Sequence, residues 1–328
     1  MAITLADAKL NTQDDIDLMV IDEFRKSSWL LDNLTFDDVV NPAGGGATLT
    51  YGYTRLVTER GAAFRPLNTE YSTEQAKRTR ATVDLSVLGG AFEIDRVLSN
   101  LGPAATNEVA FQMNQTIKSA KAFFADQVIN GTRNTSTATG FEGLSKILTG
   151  SRTEETRGPN WTAPADQLTA HNALDDLDEF LGMLDDTPSA LLGNKKTIAR
   201  IRSLARRAGY YSRTENAFGQ VVENYNGIPF VDLGAKAGSA DPVIGIDAKT
   251  GTTDLYAVRF GLDAFHGVST VGSNLVRQWL PNFDTAGAVK RGEVELGPVA
   301  VALKTTKSAA VWRGIKVSQG TGTGTGGA

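Results

Sequence analysis

Two runs of alternating apolar and polar residues flank a polar stretch near the N-terminal end of the chain. In the first, Leu49, Tyr51, Tyr53 and Val57 alternate with Thr48, Thr50 and Thr54; in the second, Ala81, Val83, Leu85 and Val87 alternate with Arg80, Thr82, Asp84 and Ser86. Both have the two-residue period of a half-buried strand. Together they predict one long antiparallel hairpin over residues 47–90, closing at Gly89 and Gly90. The connection, ERGAAFRPLNTEYSTEQAKRTR at 59–80, holds about twenty residues where ordinary hairpin loops hold two to five. An isolated two-stranded hairpin is marginal in water, so an arm of this length has to lie on something. Pro66 is expected to hold the turn of its tip, because the ring fixes φ.

Elsewhere the period lengthens to that of a helix. Residues 12–31 open with Thr12 as a cap, then Asp14 and Asp15, and place Ile16, Met19, Val20, Phe24 and Leu31 near helical spacing, which reads as an amphipathic helix or arm. NPAGGGAT at 41–48 is a flexible joint, since Pro ends regular structure and three glycines permit almost any direction. After Gly102-Pro103 comes the longest helical signal, Val109, Met113, Ile117, Ala120, Phe124 and Val128, ending at Gly131 as a C-terminal cap. At about 1.5 Å per residue this is a rod of nearly 40 Å. Phe111, Phe123 and Phe124 read as its packing residues.

Residues 132–165 are rich in Thr, Ser, Gly and Asn and predict turns around a short strand at 141–148. Two helices of opposite charge follow. The first, 172–186, carries Asp175, Asp176, Asp178, Glu179, Asp185 and Asp186; the second, 195–207, carries Lys195, Lys196, Arg200, Arg202, Arg206 and Arg207 with no acid. Short strands are expected at 189–192, 228–233, 254–260, 293–303 and 309–317, and the tail SQGTGTGTGGA is a low-complexity, disordered end.

The chain has 328 residues, 41% hydrophobic and 21% charged, which is globular composition with room for one large or two moderate domains. Lys+Arg 33 against Asp+Glu 37 leaves a net charge of -4, so the whole-chain basic footprint of a dedicated nucleic-acid binder is missing and any such contact has to be local. Cys is 0, which excludes disulfides and thiolate chemistry. The start has neither a basic nor an apolar leader segment, and nowhere is there an apolar run of membrane-spanning length, so a cytosolic chain without membrane contact is expected.

Signatures of catalysis are sparse. The two histidines, His171 and His266, are far apart in sequence and have no partner at ligand spacing; they read as a helix-start and a strand-end residue. There is no G-x-S-x-G elbow and no phosphate-binding G-x-x-x-x-G-K loop; the glycines of the tail and of 44–46 read as linker and hinge. The acids at 175–179 suit a metal or general-acid cluster less well than a solvated, dipole-stabilised helix start. The basic face of 195–207 fits nucleic acid less well than pairing with the acidic helix, within the subunit or across a subunit boundary.

The order arm, hairpin, rod, α/β block and late strands resembles the tailed-bacteriophage major capsid proteins of the Hong Kong 97 fold. The resemblance is carried by the hairpin of 47–90, the rod of 104–130, TGFEGL at 139–144, SALLGNKKTIARIRSLA at 189–205, YNGIPFVDLG at 225–234 and the closing VALKTTKSAAVWRGIKV. It implies an α+β fold divided into an N-terminal arm (1–41), an extended hairpin loop (42–90), the first part of a peripheral domain with a spine helix (91–160), an axial domain (161–272), the second part of the peripheral domain (273–317) and a disordered tail (318–328). It further implies a structural, non-enzymatic protein without cofactor that assembles with itself through pentamers and hexamers into an icosahedral shell. Such a shell encloses double-stranded DNA held by weak inner-surface contacts, in a virion put together in the host bacterial cytoplasm. Its expected partners are a separate scaffolding protein, a portal and decoration proteins. The candidate intersubunit residues are Glu59, Arg60, Phe64, Arg65, Glu70, Glu74, Lys77, Arg78 and Arg80, a sign-mixed strip that would set register with a neighbour.

Some members cross-link a hairpin lysine to a neighbour's asparagine. The lysine here is Lys77, and although Asn274 and Asn282 fall in the acceptor region no motif selects them, so cross-linking is not expected. About forty residues precede the hairpin, fewer than the long cleaved scaffolding segment of some members, which suggests either a separate scaffolding protein or a form that needs none. The nearest rival is an encapsulin-type nanocompartment shell, which resembles the same fold, holds cargo enzymes and begins with a helix; the helical signal at 12–31 supports it. A hydrolase or lyase using His171 or His266 with the 175–179 acids is the alternative from another class, and it leaves the hairpin unexplained.

Overall fold

The computed structural model describes residues 29–41, 49–58, 61–71, 75–97, 103–162, 166–209, 213–215, 221–270 and 275–320. The expected helix before residue 29, the joint at 44–46, Glu59, Arg60, Glu74, Asn274 and the tail beyond residue 320 lie outside the described residues. The chain starts with α1 (Trp29–Asn33), β1 (Phe36–Val40) and the paired β2 (Thr50–Thr58) and β3 (Lys77–Asp84), followed by β4 (Ser86–Asp95) and α2 (Pro103–Asn130). Next come α3 (Leu144–Ile147), β5 (Glu154–Glu155), α4 (Gln167–Leu181), β6 (Ala190–Leu192) and α5 (Lys195–Ala208). Then β7 (Arg213–Glu215), β8 (Val221–Tyr225), β9 (Ile228–Val231), β10 (Thr252–Val258), β11 (Phe265–Thr270), β12 (Val276–Trp279), β13 (Val289–Leu303) and β14 (Ala309–Lys316) complete the fold. It is an α+β arrangement.

Seven strands form one sheet in the order β5-β14-β10-β6-β9-β8-β7. Its central segments 190–192, 255–258 and 309–312 are apolar at every position because both faces are covered. Leu191, Leu255, Ala257, Ala310 and Trp312 point to one side, where they meet Leu174, Leu177 and Phe180 of α4 and Ile201, Leu204 and Ala208 of α5. Their alternates Ala190, Leu192, Tyr256, Val258, Ala309 and Val311 point into a larger core shared with α2 and the second sheet. Helix α5 is set by its caps. The Asn194 side chain accepts from the Lys196 and Thr197 amides at 3.0 Å each, and Gly209 ends the helix at φ 83°.

The second sheet is organised by β13. Its first half lies between β4 and β12, its last residues pair with β11, and β11 pairs in parallel with β1. Pro298 is accommodated where the register with β4 shifts between Leu296 and Val299. Helix α2, 28 residues and about 42 Å long, packs on β4 and β13 with Met113, Ile117, Ala120, Phe124 and Val128 buried as its spacing predicts. Gly131 closes it without a positive φ. A Cβ there would sit 2.2 Å from the Gln127 carbonyl oxygen and 2.6 Å from that of Phe141, so the glycine serves a close approach.

Four expectations are corrected. The return strand of the hairpin ends at Asp84, and Gly89 and Gly90 lie inside β4, opposite Glu295 and Val294. One residue, the buried Leu85, separates the two strands, and the buried face changes phase there: Val83 and Leu85 face inward, whereas Val87 is exposed and Phe92 and Ile94 are the buried residues of β4. The 141–148 segment contains the helical turn α3, because Leu144 and Leu148 are both buried at a spacing of four. Helix α4 starts earlier than expected, at Gln167, behind Asp166, whose carboxylate accepts from the Thr169 amide at 2.8 Å. Finally, Phe124 is buried but Phe111 and Phe123 are exposed.

Candidate assembly surfaces

The β2–β3 hairpin is gripped at its root by side chains of its inward face. Tyr51 is buried and donates its hydroxyl to Asp37 Oδ2 in β1 at 3.0 Å. Burial and that carboxylate push the phenol up to about 12. Tyr53 donates to the Leu303 carbonyl at 2.9 Å. Arg55 donates through Nε to the Lys304 carbonyl at 3.0 Å and through a second nitrogen to that of Leu303, with its guanidinium 5.4 Å from the Tyr53 ring centre. On the return strand Asp84 pairs with Arg133, just beyond α2. These anchors join the hairpin to the end of β13, to β1 and to the end of the rod.

Beyond the root the hairpin leaves the subunit. Described residues 61–71 are all exposed, including Phe64, Leu67 and Tyr71, and so are Lys77, Arg78, Thr79 and Arg80. Arg65 folds back on the tip, donating to the Thr69 carbonyl at 3.0 Å with its guanidinium 5.3 Å from the Tyr71 ring centre. Pro66 begins the turn as expected; its carbonyl accepts from the Thr69 amide and hydroxyl, and Asn68 takes φ 65°, as the third residue of a type II turn requires. Glu70 is exposed beside this turn. Across residues 59–80 five cations face three acids, a net positive arm on a chain whose total charge is negative.

A surface of the opposite sign lies on the outward face of the β4–β13–β12 sheet. Strand alternation places Glu93 and Asp95 of β4, Glu293 and Glu295 of β13, and Arg277 of β12 on that face with Arg291. Arg291 Nε pairs with Glu293 Oε1 at 2.9 Å. Four carboxylates against two guanidinium groups leave the face acidic, and Val87, Trp279 and Val289 are its exposed apolar residues. At the edge of β4 an open recess of about 410 Å³ runs between Gly89, Gly90 and Ala91 and the α2 residues Thr116, Ser119 and Phe123.

No protein family and no curated protein matches the sequence. Solved structures do match the fold. The chain is similar to a subunit of the holo-SrpI encapsulin complex from Synechococcus elongatus PCC 7942, with 18% identity, 89% of each chain covered and a TM-score of 0.56. It is similar to the capsid subunit of the native GTA particle at 14% identity, covering 87% of this chain and 89% of that one, with a TM-score of 0.55. The capsid of Myoviridae phage XM1 aligns at 12% identity over 88% and 91% of the two chains, with a TM-score of 0.53. The chain has the Hong Kong 97-like capsid fold.

Within this capsid fold the charged helices stand apart from the hairpin. Helices α4 and α5 pack side by side through apolar side chains, while Asp175, Asp176, Asp178 and Glu179 are exposed on the first and Lys195, Lys196, Arg206 and Arg207 on the second. Two of the basic residues find partners elsewhere in the chain: Lys195 lies 3.9 Å from Asp232, and Arg200 donates to the Val317 carbonyl. His171 is within α4, whereas His266 is buried in β11 in the larger core, so the capsid fold does not bring His266 to the α4 acids. Among the described residues no group of three or more His, Asp or Glu is placed to hold a metal, and no helix is long and apolar enough to cross a membrane. Sequence reasoning missed the root residues Asp37, Arg55 and Arg133. The available signal was the inward-facing series Tyr51, Tyr53 and Arg55, whose polar ends need buried partners.

Proposed function

We propose that the chain is the subunit of a closed icosahedral shell, a tailed-bacteriophage major capsid protein that assembles with itself through pentamers and hexamers around double-stranded DNA. The observation that carries this reading is the hairpin: it is gripped at its root and exposed at the described residues of its tip, with Phe64, Leu67 and Tyr71 bare. Exposed apolar groups of this extent mark an interface, and in a closed assembly each copy covers its neighbour. In this reading Glu59, Arg60, Phe64, Arg65, Glu70, Glu74, Lys77, Arg78 and Arg80 make contacts between copies, and the acidic outward sheet face is the complementary surface. The arm (1–41), hairpin loop (42–90), peripheral segments (91–160 and 273–317), axial block (161–272) and tail (318–328) are the working division of the chain. Scaffolding, portal and decoration proteins are its partners and the virion capsid is its location. DNA touches the inner surface only weakly, in keeping with the net charge of -4. The protein has no catalytic step and no cofactor.

An encapsulin-type compartment is the second reading, favoured by the similarity to the holo-SrpI encapsulin complex. Electron microscopy and sedimentation of the recombinant chain, alone and with a scaffolding partner, test both. Closed particles are expected, and monomers or dimers alone under every condition overturn the shell. Particles isolated from their natural source that contain DNA support the capsid reading; particles filled with an enzyme and lacking DNA overturn it in favour of the compartment.

A further inference from the structure

His266, the second residue of β11, is 0% exposed, and among the described residues neither ring nitrogen makes a hydrogen bond of full geometry, although the Ala264 backbone lies close enough to favour the charged ring. Buried polar groups left in this state are rare and call for an explanation. The groups around it come from every element packed at the hairpin root. Asp37 of β1 places Oδ2 4.0 Å from Nε2. Tyr51 of β2 lies edge-on with ring centres 5.9 Å apart. Lys304, directly after β13, places Nζ 4.0 Å from the same Asp37 Oδ2. Asp263, in the turn before β11, acts on the ring by its charge and is paired with Arg259 at 2.9 Å. Ala302, opposite on β13, has nothing to titrate. A single oxygen, Asp37 Oδ2, therefore accepts from the Tyr51 hydroxyl and faces both the imidazole and the ammonium.

We infer that His266 is an acid-sensitive latch on the hairpin root. Protonation gives Nε2 a charged N–H aimed at Asp37 Oδ2, the oxygen that holds the Tyr51 hydroxyl. The Tyr51 bond to this carboxylate carries charge on its acceptor alone, whereas the imidazolium bond carries it on both donor and acceptor; closing the 4.0 Å gap draws Oδ2 toward the ring, lengthens its 3.0 Å bond to the Tyr51 hydroxyl and weakens the tie of β2 to β1. The grips of Tyr53 and Arg55 on the Leu303 and Lys304 carbonyls do not involve Asp37, so the hairpin loosens at its base without coming free. The direction of the pH effect follows from burial. Desolvation, helped by the Lys304 charge, holds the imidazole below its ordinary value, against the opposing pull of the Ala264 carbonyl and the Asp37 and Asp263 carboxylates. The latch is therefore fully closed above about 6.5 and opens as pH falls through the lower value of the buried ring.

The test uses the full chain and does not depend on whether it forms shells. Hydrogen exchange is followed at pH 7.5 and 5.0, corrected for the intrinsic chemical rate, and the imidazole resonances are titrated in parallel; with two histidines, His171 is an internal reference. The expected result is about tenfold faster exchange over residues 50–56 at the lower pH, the effect of one lost hydrogen bond. Protection in β14 stays unchanged, and the midpoint coincides with the His266 titration. His266→Gln abolishes the pH dependence, Tyr51→Phe shows the loosened state at both pH values, and Asp37→Asn lowers the His266 midpoint. The inference is overturned if loosening persists in His266→Gln, if Tyr51→Phe stays as protected as the wild type, if β14 loosens together with β2, or if the loosening does not follow the His266 titration. Should His266→Gln fail to fold, the Tyr51→Phe and Asp37→Asn results decide.

Discussion

Two phenylalanines of this chain occupy opposite extremes, and truncating each separates folding from assembly. Phe124, about two turns from the C-terminal end of α2, is 0% exposed and packs near the rings of Phe36 and Phe141. Phe64, at the hairpin tip, is 106% exposed. Phe124→Ala opens a cavity in the core and is expected to cost about 3–5 kcal/mol in the free subunit. Phe64→Ala removes the same atoms from water and should leave the free subunit within about 0.5 kcal/mol of wild type. If the tip seats on a neighbouring copy, burying the ring there is worth about 1.5–3 kcal/mol per contact. That is roughly a ten- to hundred-and-fifty-fold loss in the association constant of each contact. Urea unfolding of free subunits or capsomers, run beside dissociation of assembled particles, gives both numbers. The reasoning fails if Phe64→Ala lowers the midpoint of the free subunit as much as Phe124→Ala does, or if particles of Phe64→Ala dissociate like the wild type.

Asn194→Ala removes the cap of α5 together with the 2.7 Å bond from Asn194 Nδ2 to Thr253. A loss of about 1–2 kcal/mol in urea is expected, with Asn194→Asp recovering part of it; full stability in Asn194→Ala would show the cap to be idle. Arg313→Met strips the guanidinium from Glu154, Asp254, Ser145 and Thr149, leaving two carboxylates behind, and is expected to cost about 3 kcal/mol. Although burial opposes its ionisation, Glu154 is held below the ordinary 4.5 by the Gly150 amide and by Arg313. Its contribution is therefore whole above about 4.5 and lost as pH falls through the depressed value. Acid titration of stability should be flatter in Arg313→Met than in the wild type, and an equal slope would refute the role given to this pair.

The parts of the fold legible in the sequence are those where one element meets one kind of surface along its whole length. The six apolar positions of α2 all face one core, so their spacing sufficed. The strand at 190–192 and the segments 255–258 and 309–312 of two others are buried on both faces and stand out as apolar runs. Alternation reports which face a residue takes and says nothing about which strand lies beside it. That is why β3 and β4, separated by Leu85, read as one strand, and why β11 and β12 went unpredicted. The tip residues were legible as polar and net positive, but the acidic sheet face depends on register: Glu93, Asp95, Glu293 and Glu295 are scattered in sequence and gathered by the pairing of β4 with β13. The root was hidden for the same reason, since Tyr53 and Leu303 stand 250 residues apart.

Strand β13 has a mechanical consequence. Its 15 residues span about 50 Å of extended backbone, presenting the acidic carboxylates in its first half and, at its far end, the Leu303 carbonyl that holds the hairpin of the same copy. In a ring of copies docked tip to sheet, a pull on one hairpin enters the next copy at Glu293 and Glu295, travels along a single strand, and leaves through that copy's own hairpin. Outward pressure on such a ring is borne as shear along hydrogen-bonded strands, the direction in which many bonds must break together, and little of it reaches the seven-stranded sheet. Under inflation the hoop should therefore stretch at the hairpin roots before the sheets on either side of them deform.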